Sequence, residues 1–174
     1  MGFFSKISDA LTSTKRPEKG TTVLKKEQVL VKILEINRET APYKIYRCEE
    51  EGIDLVAEWK IVDAKWYGVF NKSGLKKVFK IQMRLDEIKN EVRAVDREYS
   101  ISWSAGIPSL SLSIESFKGQ KQEISFGSAY AFTEKGEFGE VYKYKFSTKE
   151  IKTPIQNIAI SCGWTYKGVV LSKI

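Results

Sequence analysis

The side chains that most often do chemistry are scarce here, and their spacing is unhelpful to catalysis. The chain of 174 residues has no histidine. That removes the Ser-His-Asp triad, the Cys-His pair, the HExxH zinc site and any histidine proton shuttle. Two cysteines remain, Cys48 and Cys162, far apart and without CxxC spacing. They form neither a disulfide framework nor a zinc signature. Without histidine, a thiolate would need Lys, Arg or a helix N-terminus to form at neutral pH. Cys162 instead falls near the C-terminal end of a predicted helix, where the dipole disfavours negative charge. Both read as small buried hydrophobes of a reducing compartment.

Carboxylates offer the next chemistry. Asp54 and Glu58 fall on the polar parity of one predicted strand, ~13 Å apart at the usual strand rise. A glycosidase pair needs roughly 5–9.5 Å. Asp86, Glu87 and Glu91 gather at a predicted turn without the EF-hand pattern, and turn solubility accounts for them. Gly68 and Gly74 bracket Asn71-Lys72-Ser73, yet the phosphate-loop order fails because Leu75 follows Gly74. The sequence predicts no catalytic, metal or cofactor-binding residue.

Basic and aromatic residues interleave in Tyr43-Lys44-Ile45-Tyr46-Arg47 and in Tyr142-Lys143-Tyr144-Lys145. Sheet-based RNA binders stack bases on strand aromatics beside cations. Period two separates Tyr142 and Tyr144 from Lys143 and Lys145, so a core beneath a lysine-bearing face explains that run better. Exposed aromatics on a basic sheet face would favour nucleic-acid binding instead.

The N-terminal arm carries the functional signal. Phe3, Phe4, Ile7 and Leu11 recur at helical spacing, with Lys6 elsewhere on the wheel. Lys15, Arg16 and Lys19 follow, and the first 26 residues hold four of the chain's seven surplus positive charges. An apolar stripe next to a basic cluster suits a membrane-surface or partner-docking element. The same stripe also suits packing against its own domain. Residues 13–22, with Pro17 and Gly20, read as a linker. The division expected is an arm and linker over 1–22 and a single domain over 23–174.

Elements must position these residues. At 42% hydrophobic and 29% charged, the composition is that of a globular chain. A helix is predicted from Lys25 to about Asn37 on the stripe Val29, Leu30, Ile33 and Leu34, although Val29-Leu30-Val31 also reads as a strand. Tyr43–Cys48 leads through Glu49-Glu50-Glu51-Gly52, a hairpin turn, into an alternating run from Ile53 to Ile61. Asp63 caps a short helix bearing Trp66, Val69 and Phe70. Phe79, Ile81, Met83 and Leu85 face one way and Lys80, Gln82, Arg84 and Asp86 the other. After a turn at Glu87–Asn90 the apolar parity slips between Ala94 and Val95, which predicts a β-bulge. Leu110, Leu112 and Ile114, then Ile124, Phe126, Tyr130 and Phe132, mark further strands. Thr153-Pro154-Ile155-Gln156 reads as a helix start, with Ile155, Ile158, Ala159 and Cys162 buried and Gly163 as the stop. Trp164–Leu171 reads as a last strand.

The fold class expected is α+β: a twisted antiparallel sheet or partial barrel of roughly six to nine strands, with N-terminal helices and one C-terminal helix. No apolar run approaches the ~18 residues of a membrane span. The N-terminus lacks a secretory signal's apolar core, and Lys6 stands where the myristoylation pattern wants Ser or Thr. The function expected is a non-enzymatic cytoplasmic interaction protein, peripheral to the membrane if its arm meets lipid. It would bind through Phe3, Phe4, Lys6, Ile7, Leu11, Lys15, Arg16 and Lys19. The partner is another protein or a second copy, with an anionic membrane surface next and weak nucleic-acid binding last. The alternatives are a nucleic-acid-binding domain and a small carboxylate- or lysine-dependent enzyme.

Overall fold

The computed structural model describes residues 12–39, 41–61, 77–105, 107–112, 131–132, 138–139, 149–169 and 174. Among these residues the frame is a curled six-stranded sheet with two helices. In chain order the elements are α1 (Lys26–Leu34), β1 (Tyr43–Arg47), β2 (Leu55–Trp59), β3 (Lys77–Asp86), β4 (Glu91–Ser104), β5 (Ile107–Leu112), β6 (Ala131–Phe132), β7 (Phe138–Gly139), α2 (Lys149–Ser161) and β8 (Thr165–Gly168). Strands β1 to β5 form an antiparallel meander. After α2 the chain returns as β8, parallel to β4. Strands β6 and β7 pair separately. The predicted α+β class and antiparallel sheet hold. The predicted helix over 3–12, the helix after Asp63, and the runs at 113–130 and 140–148 lie outside the described residues.

Alternation builds the core. Tyr43 and Ile45, then Leu55, Ala57 and Trp59, then Phe79, Ile81, Met83 and Leu85 share one face and are buried. Val92 and Ala94 complete it on β4. Val29, Leu30 and Ile33 of α1 and Ile151, Ile155 and Ala159 of α2 belong to the same apolar cluster. The helical reading of Val29-Leu30-Val31 prevails because only a helix buries Val29, Leu30 and Ile33 on one stripe. Helix α1 starts where Gln28 Oε1 accepts the Lys25 N–H at 3.0 Å. The β1–β2 hairpin turns at Gly52, whose φ of 82° suits glycine.

The outer edge of β1 is occupied by one side chain. Asn37, just past α1, donates from Nδ2 to the Ile45 carbonyl at 2.7 Å, and its Oδ1 accepts the Ile45 N–H at 2.8 Å. The amide thus meets both outward-facing backbone groups of the middle residue of the strand, as a neighbouring strand would.

Two expectations are corrected. No bulge separates Ala94 from Val95: β3 and β4 stay in unbroken register from Lys77↔Ser100 to Asp86↔Glu91. The apolar residues change face while the backbone stays regular. Val95, Tyr99, Ile101 and Trp103 take the parity opposite to Val92 and Ala94. The core-side position after Ala94 holds Asp96, which forms a buried ion pair with Lys152 of α2. A strand can spend a core position on a charge when a helix delivers the counter-charge.

That helix also starts earlier than predicted. It begins at Lys149, so Thr153 is no N-cap and Pro154 lies inside. Proline there lacks the N–H that would bond the Glu150 carbonyl, a single bond lost near the start of the helix. The additional turn buries Ile151 and brings Lys152 to Asp96. Gly163 ends the helix as expected, at φ 77°.

The start of the predicted linker is bonded to β8. Lys15 and Tyr166 exchange two backbone hydrogen bonds of 2.9 Å, and Gly168 donates to the Thr12 carbonyl at 3.0 Å. Gln156 Nε2 donates to the Ser13 carbonyl at 3.0 Å. Further on, Leu24 N–H bonds the Cys162 carbonyl, and Trp164 Nε1 donates to the Leu24 carbonyl at 2.8 Å. Residues 12–15 lie beside β8, where Lys15 and Tyr166 form an isolated antiparallel bridge.

Candidate binding groove on the outer sheet face

Opposite the core, the same alternation presents Lys44 and Tyr46 on β1, Val56 and Glu58 on β2, Lys80 and Gln82 on β3, and Arg97 and Tyr99 on β4. Register aligns them across strands. Tyr46, Val56 and Gln82 form one row; Lys44, Glu58, Lys80 and Arg97 form the next.

The second row is an electrostatic ladder. Glu58 sits between two ammonium groups, Lys44 at 3.1 Å and Lys80 at 2.6 Å. Each lysine also lies over a tyrosine ring, with Lys44 5.3 Å from the centre of Tyr46 and Lys80 5.3 Å from that of Tyr99. Such cation–π contacts favour charge held at a ring face. The Glu58 charge also acts on the Tyr46 hydroxyl. Tyr46, Lys44, Glu58, Lys80 and Tyr99 therefore form one connected set spanning four strands.

Protonation follows from that set. Burial pushes the Glu58 carboxyl up, but hydrogen bonds and charge from Lys80 and Lys44 outweigh it and hold the carboxyl below the usual range. Burial pulls Lys80 down, while Glu58, Tyr46 and Tyr99 carry it above the ordinary lysine value. Tyr46 is raised by burial first and then by the Glu58 charge. Glu58 and Lys80 are both held in their charged forms, and each is engaged by the other.

Around it lies an open groove of about 540 Å³, between the ladder and the β1–β2 hairpin. Tyr46, Val56, Lys80, Gln82 and Tyr99 line its sheet side, and Arg47, Cys48, Glu49 and Glu50 its hairpin rim. Val56 is buried and Gln82 is only 7% exposed. Gln82 Oε1 is buried without a hydrogen-bond partner among the described residues.

Of the binding residues predicted from sequence, Phe3, Phe4, Lys6, Ile7 and Leu11 lie outside the described residues. Lys15, Arg16 and Lys19 are exposed on the segment beside β8. They are away from the groove, whose lining comes from β1 to β4. The carboxylates considered for chemistry are separated. Asp54 lies before β2, accepts the Leu85 N–H at 2.7 Å and pairs with Lys26 at 2.8 Å, whereas Glu58 belongs to the ladder. Asp86 caps its own turn by accepting the Lys89 N–H, and Glu91 pairs with Arg93 and Lys167. Among the described residues no three Cys, Asp or Glu side chains group as metal ligands. Cys162 is buried as expected and Cys48 is half-buried at the groove rim.

The sequence did carry a signal for the groove. Lys44 and Tyr46 share a parity within Tyr43-Lys44-Ile45-Tyr46-Arg47, so one aromatic of that run had to face the same way as its lysine. Gln82 and Tyr99 were missed because nothing local reveals which strands become neighbours.

No protein-family model, curated protein or solved structure matches this chain. No helix among the described residues is long and apolar enough to cross a membrane.

Proposed function

We propose that this chain is a non-enzymatic interaction protein that docks through its N-terminal arm. The observation that supports this reading is the pinned root of the arm. Backbone bonds at Thr12 and Lys15 fix the chain to β8, so the position that follows Leu11 in the sequence is anchored on the domain. Lys15, Arg16 and Lys19 are exposed at that same root. In sequence the apolar stripe directly precedes these cations, a combination that suits a protein surface, a second copy of the chain or an anionic bilayer.

Sedimentation of the full chain, with and without vesicles of anionic or zwitterionic lipid, tests the reading. We expect self-association or selective pelleting with anionic vesicles, lost on deletion of residues 1–11 and on combined Phe3→Ser and Phe4→Ser substitution. Lys15→Gln, Arg16→Gln and Lys19→Gln together should weaken mainly the salt-sensitive part. A full chain that stays monomeric and ignores every vesicle, or a truncated chain that behaves identically, overturns it.

A further inference from the structure

The outer-face groove is independent of the arm, and its composition points to a different ligand. Gln82 decides the chemistry. A buried amide oxygen without a partner is uncommon, because leaving it unpaired costs stability. Gln82 lies in the row between Tyr46 and Val95, where a leucine would fill the space without that cost. What a leucine lacks is a donor and an acceptor side by side, which is how glutamine meets the edge of a flat heterocycle.

The surroundings narrow the ligand further. Tyr46 and Tyr99 supply aromatic rings, and Tyr46 is 37% exposed. Flat π systems stack on such rings. The volume of about 540 Å³ lies within the range of small-molecule sites. Charge argues against a polyphosphate: Glu49 and Glu50 on the rim balance Arg47 and Lys80, and Lys80 is already engaged by Glu58. A ligand of low charge with a hydrogen-bonding aromatic edge fits.

We propose that this groove binds a nucleobase, held by the tyrosine rings and read at its edge by Gln82. The base can arrive as a free nucleoside or unstacked from a single strand. Calorimetric titration of the full chain with adenosine, guanosine, cytidine and uridine, and with short single-stranded homopolymers of each base, separates these sources. Nucleoside binding that barely changes with salt indicates the free ligand. Binding by oligomers alone, with a salt-dependent affinity, indicates the strand.

Two variants test the site. Gln82→Leu should weaken binding at least tenfold and also raise the thermal midpoint, since it removes a buried amide oxygen without a partner. Tyr46→Ala should weaken binding comparably, and Tyr46→Phe should retain most of it. The proposal is overturned if no nucleoside or oligomer binds at millimolar concentration. It is equally overturned if Gln82→Leu binds like the parent, or if that variant is less stable, since the amide would then serve the fold.

Discussion

At the scale of single residues, Lys152 is the most consequential side chain of the core. It is 4% exposed, pairs with Asp96, and has its ammonium 6.0 Å from the centre of the Phe79 ring. Burial lowers its proton affinity despite the Asp96 charge. Breaking such a pair strands a charge in low dielectric. Lys152→Met alone should cost about 3–5 kcal/mol in chemical denaturation, whereas Lys152→Met with Asp96→Leu should be near neutral. The pair was illegible in sequence. A lysine beside Thr153-Pro154 looks like the solvated approach to a helix, and Asp96 looks like a polar position beside a bulge. Only the contact between two distant elements explains both. Glu58 was legible as a strand-face charge but not as the centre of a ladder. Its carboxyl titrates lower in the folded chain than at the ordinary 4.5. Its contribution is therefore full above that value and is lost as pH falls through the folded value. Glu58→Gln should lower stability at neutral pH by about 1 kcal/mol, a typical size for an ion-pair contribution. The gap from the parent should close as an acid titration passes below 4.5. A gap that persists at low pH would mean that packing, not charge, accounts for Glu58.

At the scale of elements, the meander was largely readable because alternation sets which face each strand buries. β3 is the clearest case, with Phe79, Ile81, Met83 and Leu85 buried as spacing predicted. Helix ends were less readable: Thr153-Pro154 has the form of a start, but burial of Ile151 and Lys152 extends α2 by another turn. Local chemistry sets where a helix can begin, and tertiary contacts decide where it does. The Asn37 clamp was hidden too, since nothing before the fold tells that an asparagine after α1 will meet the middle of β1. Asn37→Ala should cost about 2–3 kcal/mol for three lost hydrogen bonds, two with Ile45 and one to the Leu34 carbonyl. It should also open the β1 edge to other strands, seen as light scattering that grows with protein concentration. Asn37→Asp keeps the acceptor for the Ile45 N–H but sets a carboxylate oxygen against the Ile45 and Leu34 carbonyls, so its effect should be at least as large.

At the scale of the whole molecule, the N-terminal segment and the C-terminal strand close the same sheet edge. The sequence concealed this because the polar run at 13–22 has the composition of a connector. Its attachment is made mostly by backbone groups, which leave no mark on composition. Gly163 is the tightest point of this closure. A Cβ there would lie 2.7 Å from the Thr22 carbonyl oxygen and 2.9 Å from Val23 Cα. Both neighbours are backbone, and the residue has a positive φ. Gly163→Ala should destabilise the fold by about 2–3 kcal/mol. Native-state hydrogen exchange should locate the damage at Lys15, Leu24 and Tyr166, with the β1–β3 amides protected as before.

The hydrogen bond between Gln156 and Ser13 spans 143 positions of the chain. Contacts of such range close late, because a long loop must be ordered before they return anything. On the ribosome the interval is set by synthesis itself: Thr12 and Lys15 emerge well before the strand that receives them. During that time the segment has no β8 to pair with, although the meander can already form. A ligand that grips residues 12–15 at this stage would compete with the final fold, so the nascent chain and the finished protein present the same residues in two different roles.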